Sequence, residues 1–218
     1  MNTVTFGDKN SYADFGLILD HKEIGKPEPR TNYIDVPARD GHLDLTEAFG
    51  EVKYKERKLV FYFWYIGSDV DWAKTLSALH NYINGQKLNI YFEEDYYWAG
   101  RCFVGDARTQ KGIREFTIEC DCEPYKYRLE DTIVEVFASN ADVTKNILND
   151  RKTATPKITV LSGEPILSWT DKRTGASFQN ALPSTFDNKI LDFKFYEGNN
   201  TFTVTGGDIR LTYREASL

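Results

Sequence analysis

Apolar positions along the chain follow two periods, and the change between them marks the stretch around which the first half is built. Residues 58–66 read Lys-Leu-Val-Phe-Tyr-Phe-Trp-Tyr-Ile, aromatic and β-branched almost throughout, which is the composition of a half-buried strand. Gly67 ends this run. From Ser68 the spacing becomes helical: Trp72, Leu76, Leu79 and Ile83 form one apolar stripe and predict a helix over 69–84. Ser68 with Asp71 three residues on is a capping-box pattern, and Asn84-Gly85 is a stop, because glycine accepts the left-handed conformation that closes a helix. Residues 87–92 return as a strand. The pattern therefore predicts a sheet covered on its inner face by one amphipathic helix.

Before this stretch, residues 3–6 and 16–19 read as short strands, and Lys26-Pro27-Glu28-Pro29 as an extended surface or edge segment. Residues 34–47 carry the strong turn pair Asp40-Gly41 between apolar flanks, the mark of a hairpin. After it, residues 92–98 form an acidic, aromatic hairpin tip, and 101–104 pairs with 114–120 across a loop containing Gly112. From about Thr132 only short alternating runs remain: 132–137, 157–161, 166–169, 189–195, 201–205 and 209–213. They are punctuated by Gly163-Glu164-Pro165, Gly198-Asn199-Asn200 and Gly206-Gly207-Asp208. That spacing predicts an all-β sandwich. The expected domains are 1–129 and 130–218, both mainly β: an N-terminal β-sandwich or barrel with one α-helix, then a C-terminal β-sandwich. There is no internal repeat, and the sequon Asn199-Asn200-Thr201 reads as a tight turn.

Composition narrows the function classes. Of 218 residues, 41% are hydrophobic and 14% aromatic, enough for real cores and against global disorder. No apolar run approaches the ~20 residues of a membrane helix. Residues 1–6 show no basic leader, so cytoplasmic synthesis is the expectation. Cys102, Cys120 and Cys122 are an odd set, and His21, His42 and His80 lie on other elements. We therefore expect reduced structural thiols, no metal site and no cofactor. A glycine-rich phosphate loop, a Gly-x-Ser-x-Gly elbow and a His-Glu-x-x-His helix are all missing, and nothing near Asp35, Asp40 or Asp44 would raise a carboxyl pKa for acid–base work. The expectation is a protein that is not an enzyme. Residues 1–130 hold 17 Lys and Arg against 22 Asp and Glu, a net −5, whereas 131–218 hold 10 against 11, a net −1. With no basic stripe, stable nucleic-acid binding is not expected.

The hairpin segment also carries a resemblance. Val36-Pro37-Ala38-Arg39-Asp40-Gly41, followed by Leu43-Asp44-Leu45-Thr46, resembles the signature of the phage distal tail protein family, in which the order is valine-proline-glycine-arginine-aspartate-glycine and then a leucine-aspartate-leucine-threonine-like run. The likeness continues through Gly50, Val52, Tyr54, Arg57, Phe61, Phe63, Leu79-His80-Asn81, Gly85, Gly100-Arg101 and the 121–127 run Asp-Cys-Glu-Pro-Tyr-Lys-Tyr. Its one departure is Ala38 in place of glycine, which makes the turn geometry there a question.

The resemblance implies a virion structural protein, folded in the host cytoplasm, that forms a homo-hexameric hub at the distal tip of a long flexible tail. It implies a tail-tube-like N-terminal domain that forms the ring, and a galectin-like C-terminal β-sandwich pointing outward. Its implied partners are further copies of itself, the tail tube protein, the tape-measure protein, a tail-tip protein (tail-associated lysin or fibre) and a receptor-binding protein, with no membrane insertion. Residues Asp35, Glu47, Glu93, Glu94, Asp95, Tyr96 and Tyr97 are candidates for subunit contacts or for the wall of a DNA channel. The acidic ones, with Asp40 and Asp44, would repel DNA from a lumen. The rival class is a carbohydrate-binding module or accessory domain of a cell-wall-active protein, favoured by the sandwich and by Tyr96, Tyr97 and Trp98. For the C-terminal sandwich no strong sugar binding is expected, since it offers no obvious exposed aromatic platform and Trp169 reads as core.

Overall fold

The computed structural model describes residues 3–48, 50–110 and 113–218. Met1, Asn2, Phe49, Lys111 and Gly112 lie outside the described residues, among them the glycine expected in the loop before residue 114. The chain divides into two compact units, Met1–Lys126 and Tyr127–Leu218. Both are mainly β, with a single helix among the described residues.

The first unit contains β1 (Thr5–Phe6), β2 (Lys9–Asn10), β3 (Ile18–Ile24), β4 (Tyr33–Asp35), β5 (His42–Asp44), β6 (Arg57–Ile66), α1 (Asp69–Tyr82), β7 (Gln86–Tyr91), β8 (Tyr96–Val104), β9 (Arg108–Gln110) and β10 (Ile113–Arg128). The main sheet runs in the order β2-β1-β7-β8-β10-β6-β3, with β9 added beside β10. Strict alternation on β6 decides which face is the core: Leu59, Phe61, Phe63 and Tyr65 are buried, while Lys58, Trp64 and Ile66 are exposed. Phe61 and Phe63 each pack against the edge of Phe6, and Phe61 also meets Phe92 at 5.4 Å. Each such ring, fully withdrawn from water, contributes roughly 1.5–3 kcal/mol.

Helix α1 closes this core with the predicted stripe. Leu79 and Ile83 are fully buried and Trp72 packs 5.3 Å from Phe116. Its start is capped as the pattern required: the Asp71 amide donates to Ser68 Oγ at 3.2 Å, and that hydroxyl donates to the Asp71 carboxylate at 2.6 Å. Buried Arg114 adds a second tie, donating to the Gly67 carbonyl at 2.9 Å and pairing with Asp69 in the first helical turn. Gly85, at φ +74°, reverses the chain into β7. Cys102, Cys120 and Cys122 are free, fully buried thiols under the sheet, with 3.0 Å between the sulfurs of Cys102 and Cys120.

The second unit contains β11 (Thr132–Ala138), β12 (Val143–Asn149), β13 (Lys157–Thr170), β14 (Ser177–Ala181), β15 (Asp187–Lys189), β16 (Gly198–Tyr213) and β17 (Ala216–Ser217). Its main sheet is ordered β11-β16-β13-β14, with β12 on β16 and β15 on β13. Here the expected strands need correction. The runs 157–161 and 166–169 are one strand, as are 201–205 and 209–213. Gly163-Glu164-Pro165 and Gly206-Gly207-Asp208 are not chain reversals. They face each other inside the β13–β16 ladder, with Gly163 opposite Gly207 and register shifts on either side. Turn-forming residues serve here to bulge and bend two long strands without ending them. Residues 190–195 are largely irregular, with Phe193 and Phe195 buried, and strands β12 and β14 were not anticipated. The core stacks Trp169 on Phe178 at 5.2 Å and sets Phe193 edge-on to Phe195 and Phe202.

Candidate assembly surface

The signature residues sit on a ribbon that leaves the main sheet between β3 and β6. Its two legs are held together from base to tip. The Gly25 amide donates to the Lys58 carbonyl at 2.8 Å, Lys55 to Glu28 at 2.8 Å, and Arg30 to Lys53 at 2.7 Å, with Pro29 bridged to Tyr54. Beyond these, β4 and β5 pair as a separate two-stranded sheet, with Tyr33 opposite Asp44, Ile34 opposite Leu43 and Asp35 opposite His42. The ion pairs Arg30–Glu56 (3.1 Å) and Lys55–Glu28 (3.3 Å) cross between the legs. The sequence reading missed these crosslinks, although the mirrored charges at 28/55 and 30/56 were their signal.

At the tip, the Arg39 amide donates to the Val36 carbonyl at 3.2 Å, and Ala38 stands at φ +64°. It is the one non-glycine residue with positive φ among the described residues, which answers the question raised by its place in the signature. The turn keeps the left-handed geometry that glycine would adopt freely, and alanine bears the strain. Gly41 is also left-handed, at φ +74°. Behind the turn, the Leu45 amide donates to the Asn32 carbonyl at 2.8 Å and the Thr46 amide to Asp44 Oδ1 at 2.9 Å. The Thr46 hydroxyl, and then its amide, hold the Asp44 carboxyl below its ordinary pKa. His42 hydrogen-bonds Asp35 across the pair.

Among the described residues this ribbon has no core of its own. Tyr33, Ile34 and Val36 are 56%, 45% and 38% exposed. A lone two-stranded ribbon is marginal in water, and this one presents apolar side chains to solvent.

The candidate residues divide into two groups. Asp35, Asp40, Asp44 and Glu47 are all exposed along the ribbon, together with Val36, Pro37, Arg39 and Gly41, while Leu43 and Leu45 are half-buried. Glu94 and Asp95 are exposed at the separate β7–β8 turn. Glu93 differs from its neighbours: it pairs with Lys126 at 2.7 Å and accepts from Trp98 Nε1 at 3.4 Å, so its charge is locally compensated. Lys126 also lies 4.5 Å from the Tyr96 ring, and Tyr97 meets Tyr91 at 5.9 Å. Trp98 does not form a platform with Tyr96 and Tyr97. It is 2% exposed, stacked on Phe92 and covered by the Arg57 guanidinium at 4.6 Å. The aromatic triplet that favoured a carbohydrate module is therefore divided: Trp98 is in the core, Tyr96 and Tyr97 are half-buried, and alternation on β8 sets Tyr97 on the face opposite Trp98.

No family model matches the sequence, and no curated protein matches it. Among solved structures, the chain is similar to the SPP1 Dit (gp 19.1) protein, a paradigm of the hub adsorption apparatus in Gram-positive-infecting phages. The TM-score is 0.69 at 14% identity, and the match covers 99% of each chain. The two share their fold from end to end, both units included. The likeness is one of fold, over the whole chain.

Proposed function

We propose that this protein is the distal tail hub of a long-tailed phage. The reading rests on one observation above others: a fold match to a hub adsorption protein that covers 99% of each chain. Residues 1–129 would form a homo-hexameric ring beneath the tail tube. Residues 130–218 would face the tail-tip, fibre or receptor-binding proteins, and the tape-measure protein and DNA would pass along the axis.

The exposed ribbon supports self-assembly on physical grounds. In a closed ring each copy offers the same ribbon to the same site on its neighbour, so the apolar residues Tyr33, Ile34 and Val36 are covered without open-ended growth. Six copies of the −5 half would bring roughly thirty negative charges to the ring. With Glu93 compensated by Lys126, the acids left to repel DNA from the wall are Asp35, Asp40, Asp44, Glu47, Glu94 and Asp95.

Negative-stain imaging and light scattering of the purified chain test the proposal. Six copies of the 25.1 kDa chain should give rings of ~150 kDa. Replacing both Tyr33 and Ile34 by Ser should shift the population to smaller species while the helix signal stays. A wild-type chain that remains monomeric at high concentration, together with no rings in virions, would refute the hub reading.

A further inference from the structure

On one face of the second unit's sheet, four adjacent strands present uncharged polar side chains in two rows. The register sets Thr144 opposite Thr203, Thr203 opposite Ser168, and Ser168 opposite Gln179. Two residues further along, Asn146 stands opposite Thr201, and Thr170 opposite Ser177. These positions alternate with buried Leu167, Trp169, Phe202 and Val204, so all of them point away from the core. Neighbouring hydroxyls touch: Thr144 and Thr203 at 2.9 Å, Thr170 and Ser177 at 3.2 Å.

A cleft of about 570 Å³ opens here, with Ser168, Thr170, Ser177, Thr201 and Thr203 as its polar wall and half-buried Phe178 among its apolar lining. The charges at its end are already engaged. Asp171 accepts from the Thr174 amide (2.7 Å), the Arg173 amide (3.0 Å) and the Tyr196 hydroxyl (2.8 Å), and Lys172 donates to the Glu197 carbonyl at 2.8 Å. Trp169 also lines the cleft. It is 6% exposed, and its Nε1–H is a buried donor with no protein partner. Trp169 further borders an enclosed space of about 20 Å³ beside Asn200, which is room for one water.

We infer that this cleft binds a neutral polysaccharide. Serine and threonine hydroxyls both donate and accept, and sugar hydroxyls need partners of both kinds. An anionic ligand would need cations not already engaged, and an apolar peptide would need a mainly apolar lining. Strands spaced roughly 4.8 Å apart offer a fresh polar partner at each step of a chain laid across them, a repeat comparable to one pyranose ring. With no exposed aromatic platform, the affinity is modest. The site does not depend on ring formation. On the hub reading it is where the tail tip would touch host-surface glycan.

The full-length chain is to be applied to an array carrying neutral oligosaccharides beside sulfated and phosphorylated ones, then titrated calorimetrically with the neutral ligand that binds. Binding to neutral glycans with a Kd on the order of 0.1–1 mM is expected. The double variant Thr170→Val/Thr203→Val keeps shape and strand propensity but removes two hydroxyls, and should lose at least about tenfold in affinity. Ser168→Arg should block the cleft altogether, and unchanged melting of both variants establishes folding. No neutral glycan bound, preference for anionic glycans, or neutral binding indifferent to both variants would each overturn the inference. Ring formation would be untouched by any of them, so this proposal and the hub proposal fail separately.

Discussion

The paired bulge in the β13–β16 ladder allows the cost of backbone conformation to be separated from the cost of steric contact, using three alanine substitutions in one unit. Gly175 stands at φ +71° with no atom within 4 Å of the position a Cβ would take. Gly175→Ala therefore meets only the left-handed penalty of about 1–2 kcal/mol, partly offset by about 0.4–1 kcal/mol from a stiffer unfolded chain. Gly207 has no positive φ, but a Cβ there would lie 2.6 Å from the Ser162 carbonyl oxygen and 2.8 Å from Pro165 Cδ. Backbone cannot swing aside as a flexible side chain can, so Gly207→Ala should cost the ~1–3 kcal/mol typical of overpacking. Gly163 combines both, at φ +71° and 2.6 Å from the Gly206 oxygen, and Gly163→Ala should cost ~2–4 kcal/mol. Urea unfolding followed by fluorine NMR of fluorotryptophan-labelled protein suits the test. Of four tryptophans, only Trp169 lies in the second unit, so its resonance follows that unit alone. If Gly163→Ala falls within about 0.5 kcal/mol of Gly175→Ala, the facing strands relax freely and the reasoning from close backbone approach is wrong.

Two further outcomes are expected. Ala38→Gly relieves the strained turn at φ +64° but loosens the unfolded chain, for a net gain of up to about 1 kcal/mol. Because β4 and β5 pair as a sheet of their own, the gain should appear as slower amide exchange over residues 33–44 with little change in melting; faster exchange there would contradict the assignment of strain. The buried thiols should resist alkylation at pH 8 until the first unit unfolds, since burial pushes the Cys122 thiol up to about 12 and Cys120 up as well. An unfolded thiol ionises near 8.5, so between about pH 8.5 and 12 the unfolded state sheds a proton the native state keeps. Stability then falls as pH rises, by up to ~1.4 kcal/mol per pH unit for each such thiol. Rapid labelling of the native protein, or a first unit that grows more stable from pH 8 to 10.5, would refute this.

Local periodicity made the first unit legible. The change from period two to period 3.6 at Ser68, the cap at Asp71 and the stop at Gly85 are local signals, and strand, helix and strand formed where they predicted. In the second unit the same signals misled. Gly163-Glu164-Pro165 and Gly206-Gly207-Asp208 have turn composition, but whether a glycine ends a strand or bulges it depends on what lies opposite. Here each run is the other's partner, some 40 residues away in sequence. Strand β12 hid for a related reason: Lys145 interrupts its apolar positions, Val143 and Ile147, and only pairing with β16 makes it a strand. The site divided along the same line. The signature at 36–45 and the question at Ala38 were readable because a turn is a local object; the positive φ that alanine adopts there was not. That β4 and β5 pair apart from their unit's main sheet, that Lys126 compensates Glu93, that Trp98 turns inward, and that Thr144, Thr203, Ser168 and Gln179 form one row across four strands are consequences of register. Register is set by pairing between distant segments, and tertiary structure alone decides it.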